Sequence, residues 1–258
     1  MQTQLFKLTL AAALMGAPFL MAEEDLSMTE ADKAMYEEMT ENNPAEIFLM
    51  EGEELLSNNV GGEAGLAKFM GVKEDNLAKE LATYPKYVKK IGMVVGIDQL
   101  LQAAMAENGK KPFKLASKEM VYMGAYVKSL ANEEPINLDL SDKHTKEYLK
   151  LGEEVYHTRR GGRGLSCYSC HSEATIGTRL RMQILPALGD PKFKSAATWP
   201  AYRMTQSKLV TLQGRFRGCM NNSLMAKLPE GSKEMVALEV YVSAMAQGES
   251  VQLPGLKR

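Results

Sequence analysis

Cys167-Tyr168-Ser169-Cys170-His171, a C-x-x-C-H stretch in the second half of a 258-residue chain, decides how the rest is read. Two thiols three residues apart can each add to one vinyl group of a single haem. The histidine that follows is then held against the iron as its proximal ligand. A C-x-x-C pair also serves thioredoxin-like redox chemistry, but the adjacent histidine and the export signal described below weigh against that reading. A zinc site would need further ligands in reach. Only His144 and His157 remain, neither with ligand spacing, and both read as polar helix residues. The sequence thus predicts one covalently bound haem c, attached through Cys167 and Cys170, with His171 as an axial iron ligand.

The N-terminus fits such chemistry. Met1 to Ala22 reads MQTQLFKLTLAAALMGAPFLMA: a lysine at position 7, a short apolar run, then a small residue. This is a secretory signal pattern with cleavage expected after Ala22. The run is too short and too interrupted by Gly16 and Pro18 for a membrane span, so a soluble periplasmic protein is expected. The formal net charge of −1 argues against nucleic acid as a partner. Leu, Ala, Glu, Lys and Met are abundant and period-two alternation is scarce, which predicts a mostly α-helical fold.

Two helices flank the motif in the sequence. Lys146–Tyr156 leads into it, with Gly152 and Tyr156 four apart on one face. Ser232–Ala246 is a second helix, capped by Ser232 and stopped by Gly248. A glycine on one helix lets an aromatic on another approach closely, and Tyr241 is the candidate. The pattern resembles the class I cytochrome c fold, whose first and last helices cross beside the haem.

The first half reads as a worn copy of the second. Gly52-Glu53-Glu54 matches Gly152-Glu153-Glu154, and Gly61-Gly62 matches Gly161-Gly162. Tyr84-Pro85 matches Trp199-Pro200, and Ser117–Val121 matches Ser232–Val236. The offset grows from 100 to 115, so the second copy carries about fifteen extra residues after the haem motif. Two tandem class I cytochrome c-like domains are expected, at 23–140 and 141–258. Aligning Gly65-Leu66 with Gly164-Leu165 sets Lys68, Gly71 and Val72 opposite Cys167, Cys170 and His171. Ala104 falls opposite Cys219. The first domain is therefore expected to be degenerate and without haem.

Arginine is confined to the second half: none precedes Arg159, and eight lie from Arg159 to Arg217. Its rigid fork pairs with carboxylates and oxyanions, so haem propionates, an anionic ligand or a protein partner are all open as its use. Cys219 is unpaired, and Arg215 and Arg217 beside it would favour its thiolate. By spacing, Cys219, Met204, Met220 and Met225 all remain candidates for the second iron ligand.

Taken together, C-Y-S-C-H, G-T-R-L-R-M-Q (177–183), T-W-P-A-Y-R (198–203) and L-Q-G-R-F-R-G-C-M (212–220) resemble the SoxA family, the catalytic cytochromes of the SoxAX complex of bacterial thiosulfate oxidation. The resemblance runs over nearly the whole mature chain. It implies an L-cysteine S-thiosulfotransferase that joins thiosulfate oxidatively to a cysteine of the carrier protein SoxYZ, with electrons leaving through haem. It also implies a small SoxX-like cytochrome as partner. By resemblance His171 and Cys219 are the axial ligands, Cys219 is also the catalytic cysteine, carried as a persulfide, and Arg215 binds substrate. The chain departs from members with a haem or a disulfide in the first domain, because no cysteine precedes Cys167. A plain electron-transfer cytochrome, a thiosulfate dehydrogenase forming tetrathionate and a non-catalytic docking subunit are the rival readings.

Overall fold

The structure is a computed structural model that describes residues 30–180, 183–190 and 195–257. The expected signal segment lies outside the described residues. Residues 39–258 form one compact unit.

The first half runs α1 (Glu30–Glu41), α2 (Glu46–Val60), α3 (Gly62–Met70), α4 (Leu77–Leu81), the hairpin β1 (Lys86–Val88) and β2 (Met93–Val95), α5 (Ile97–Glu107) and α6 (Lys118–Ser129). The second half runs α7 (Lys143–His157), the single turn α8 (Tyr168–His171), the short hairpin β3 (Arg179–Leu180) and β4 (Gln183–Ile184), β5 (Ala201–Arg203), β6 (Lys208–Val210), α9 (Leu212–Asn222) and α10 (Lys233–Met245). A final strand, β7 (Gly255–Lys257), ends the described chain. Helices dominate, as expected from composition, and among the described residues no strand exceeds three residues.

The repeat is visible in three dimensions. Lys86 pairs with Val95 in the first hairpin and Ala201 with Val210 in the second, both 115 residues on. An eleven-residue helix follows each hairpin, α5 and α9. Ser117 and Ser232 cap α6 and α10 by accepting the N–H groups of Met120 and Met235, each at 3.3 Å.

In each half two helices cross at a glycine, α2 with α6 in the first and α7 with α10 in the second. A Cβ on Gly52 would lie 2.2 Å from the Tyr122 carbonyl oxygen, and one on Gly152 would lie 2.0 Å from that of Ala237. Only hydrogen fits at these crossings. Tyr156 and Tyr241 meet beside the second crossing with ring centroids 5.2 Å apart, which fulfils the expectation for Gly152.

The halves are laced together. Backbone bonds run from Glu133 N–H to the Val251 carbonyl and from Ile136 N–H to that of Glu249. Asn132 donates to the Leu253 carbonyl at 2.7 Å and accepts from Leu253 N–H at 2.8 Å. The tail thus returns over the linker, and β7 adds in parallel to β5, setting Lys257 beside Arg203. His144 is used structurally: its ring stacks on Tyr87 at 4.0 Å.

Candidate functional site

The haem motif is wound into one helical turn. Cys170 and His171 N–H both donate to the Cys167 carbonyl at 3.1 Å, and Ser166 and Ser169 bond each other reciprocally at its start. Positions i, i+3 and i+4 share a helix face, so Cys167, Cys170 and His171 point the same way. All three cysteines of the chain are free and half-buried.

His171 is oriented by its surroundings. Its Nδ1 lies 2.8 Å from the Pro186 carbonyl oxygen, so that nitrogen carries the proton and donates, leaving the Nε2 lone pair for a metal. Burial lowers its pKa, Pro186 opposes that shift, and Arg215 lowers it further. The imidazole is held neutral, the form that ligates iron. Burial also pushes the Cys167 thiol up to about 11, with Cys219 adding to the rise and Arg160 opposing it. Cys170 is raised by burial and again by Cys219.

Cys219, on α9, acts electrostatically on both Cys167 and Cys170, and Arg215, one turn earlier on the same helix, acts on His171. Thr211 starts α9 by accepting the Gly214 N–H at 3.0 Å. Met220 is a core residue, with 2 % of its surface exposed, and Met225 is buried too.

Arg217 does not sit beside Cys219. Two residues along a helix point to opposite sides, and its guanidinium pairs with Glu230 at 3.2 Å. Arg203 takes that place instead. It is 8 % exposed, on β5. Burial and then Arg215 lower its pKa, while Cys219 holds it up. Lys257, alongside on β7, is lowered by burial and by Arg203. Sequence reading singled out neither Arg203 nor Lys257. Arg203 lay within a quoted motif, whereas Lys257 reaches the site only because the tail becomes a strand.

The donor set fits a haem. Two thiols and an oriented imidazole share one face, and a further sulfur stands near them. Arg160 contributes a buried Nε–H that lacks an acceptor and acts on Cys167, a donor suited to an anionic propionate.

A C-x-x-C-H turn joined to a pair of glycine-crossed helices defines a c-type cytochrome. Residues 51–136 and 151–251 match the SoxA/TsdA cytochrome c domain family, and the chain belongs to it. The chain is similar to the L-cysteine S-thiosulfotransferase subunit SoxA of Pseudaminobacter salicylatoxidans, at 31% identity over 97% of this chain and 86% of that one. With the subunit of the same name from Hydrogenophilus thermoluteolus the identity is 29%, over 96% of this chain and 95% of the relative. The crystal structure of SoxXA from P. pantotrophus shares the fold, with a TM-score of 0.73 at 23% identity, covering 87% of this chain and 84% of that one. Among the described residues no helix is long and apolar enough to cross a membrane.

Proposed function

We propose that the chain is the catalytic subunit of an exported L-cysteine S-thiosulfotransferase, with one haem c attached at Cys167 and Cys170 and ligated by His171 and Cys219. The observation that carries this is the meeting of Cys219, Arg215 and Arg203 beside the haem turn. The relatives' printed activity supports the reaction.

The net chemistry joins a cysteine thiolate of a carrier protein, SoxYZ in this reading, to the sulfane sulfur of thiosulfate. One S–S bond forms, none breaks, and two electrons are released. Bound haem supplies a one-electron acceptor within the site, and a SoxX-like small cytochrome is the partner that carries electrons onward. The protein's own residues do the rest. Arg215 and Arg203 bring positive charge to an incoming dianion and lower its repulsion from sulfur. Cys219, carried as a persulfide in this reading, holds its sulfur beside the substrate, and its own S–S bond is unchanged over the net reaction. Arg160 is placed to neutralise a propionate.

The first domain, 23–140, serves as scaffold without haem. Val72 and Ala104, opposite His171 and Cys219, pack in or against a continuous apolar core. The signal pattern of residues 1–22 supports a periplasmic location.

The test is electron paramagnetic resonance of the ferric holoprotein and its Cys219→Ser variant. A low-spin thiolate signature in the parent, lost in the variant, is expected. An unchanged spectrum with a methionine-to-iron band would overturn the reading and leave an electron carrier. Formation of tetrathionate at full rate without carrier would instead select the thiosulfate dehydrogenase reading.

A further inference from the structure

Between the halves lies a cluster of charged groups outside the haem site. Asp98 from α5, Lys128 from α6 and Glu239 from α10 line a narrow cleft together with Gln99, Gln213 and Trp199. The cavity at its base measures about 30 Å³, enough for a water molecule. The backbone is cut to fit these carboxylates. A Cβ on Gly124 would come within 2.7 Å of Asp98 Oδ1, and one on Gly96 within 3.0 Å of Glu239 Oε2.

The cluster grips α9 on both sides of Arg215. Gln213 donates to Glu239 Oε2 at 2.7 Å and accepts from the Gly231 N–H at 2.9 Å. Arg217 pairs with Glu230 at 3.2 Å, and Glu230 in turn acts on Asp98. Two glutamates balance Arg217 and Lys128, whose pKa burial lowers while Glu239 and Asp98 hold it up. An ionised Asp98 adds a negative charge beyond that balance.

Resting on the functional reading above, we propose that Gln213 and Glu239 are positioning residues for Arg215 and Cys219, and that the charge state of Asp98 behind them sets how firmly α9 is held. The groups facing Asp98 are Lys128, Glu239 and Glu230, with Arg217 facing Glu230. Desolvation, then Glu239 and Glu230, push Asp98 up to about 7 against the pull of Lys128. The protonated acid keeps the balance. Above neutrality the added charge repels both glutamates and strains the bonds through which they hold Gln213 and Arg217. Substrate geometry and the iron–sulfur contact then change together.

The test uses the holoprotein and its Asp98→Asn variant between pH 5.5 and 8.5, with two readouts. Infrared spectra report a protonated carboxyl, and electron paramagnetic resonance reports the iron's ligand field. The parent is expected to lose a carboxylic-acid band as pH rises through about 7, with a g-value shift at the same midpoint. The amide of the variant cannot ionise, so both changes should vanish and the low-pH spectrum should persist throughout. A parent with no titrating band, or a variant whose g-values still shift, overturns the proposal. Absence of a thiolate signature at every pH overturns the functional reading and the positioning role with it. The infrared titration would then still show whether Asp98 carries the proton.

Discussion

Replacing Gly152 by alanine sets two physical effects against each other. On an isolated helix the change stabilises by about 1 kcal/mol, because glycine has the greater backbone entropy to lose. At this crossing the new Cβ would sit 2.0 Å from the Ala237 oxygen and 2.7 Å from the Tyr241 Cβ. Carbon and carbonyl oxygen normally approach no closer than about 3.3 Å. The helices α7 and α10 must therefore part by roughly 1 Å along their line of contact. Overpacking of this kind costs about 3 kcal/mol at the upper end of its usual range, leaving a net loss near 2 kcal/mol. For a domain of this size that is a fall of about 4–8 °C in Tm. Thermal unfolding followed by far-ultraviolet circular dichroism measures it. Tyr156 lies beside both Tyr241 and Tyr168, so the Soret band of the holoprotein should shift as well. Gly52→Ala, whose Cβ would meet the Tyr122 oxygen at 2.2 Å, should lower Tm similarly while leaving the Soret band alone. A Gly152→Ala protein as stable as the parent would refute the close-crossing argument.

Three further outcomes are expected. Thr211→Ala removes the cap of α9 and should cost about 1 kcal/mol in urea denaturation, with a smaller loss for Thr211→Ser. Arg215→Lys keeps the charge but loses the planar fork. It should lower kcat/KM for thiosulfate by about 100-fold while the haem spectrum stays unchanged, and an unaffected rate would remove Arg215 from the substrate site. Asp98→Asn bears on stability as well as on position. The folded state raises this carboxyl from 3.8 to about 7, so it binds more protons than the unfolded chain across that window. Stability is therefore fully present below 3.8 and falls as pH rises towards 7. The asparagine variant should come close to the parent at pH 4 and exceed it by roughly 4 kcal/mol at pH 8, about three pKa units at about 1.36 kcal/mol each.

Local signals carried much of this. C-x-x-C-H must form one helical turn to present two thiols and an imidazole on one side, and that turn was legible from spacing. The cap Ser232, the close-approach glycine at 152 and the 115-residue offset that matches them to Ser117 and Gly52 were equally legible, because hydrogen bonds and close approaches demand particular residue types. Position in space was not. Arg217 looked like a neighbour of Cys219 along the chain, yet helix geometry turns it to Glu230, and Arg203 enters from a different strand. Lys257 arrives through a parallel strand pairing that no local pattern announces. Asp98, Lys128 and Glu239 lie on three helices far apart in sequence, each unremarkable as a charged residue. Packing of those helices sets them in one desolvated cleft, where the electrostatic cost of a bare charge becomes large enough to act. Residue types and their spacing along the chain thus limit which chemistry it can hold. Which charges surround that chemistry depends on distances that exist only once the helices have packed.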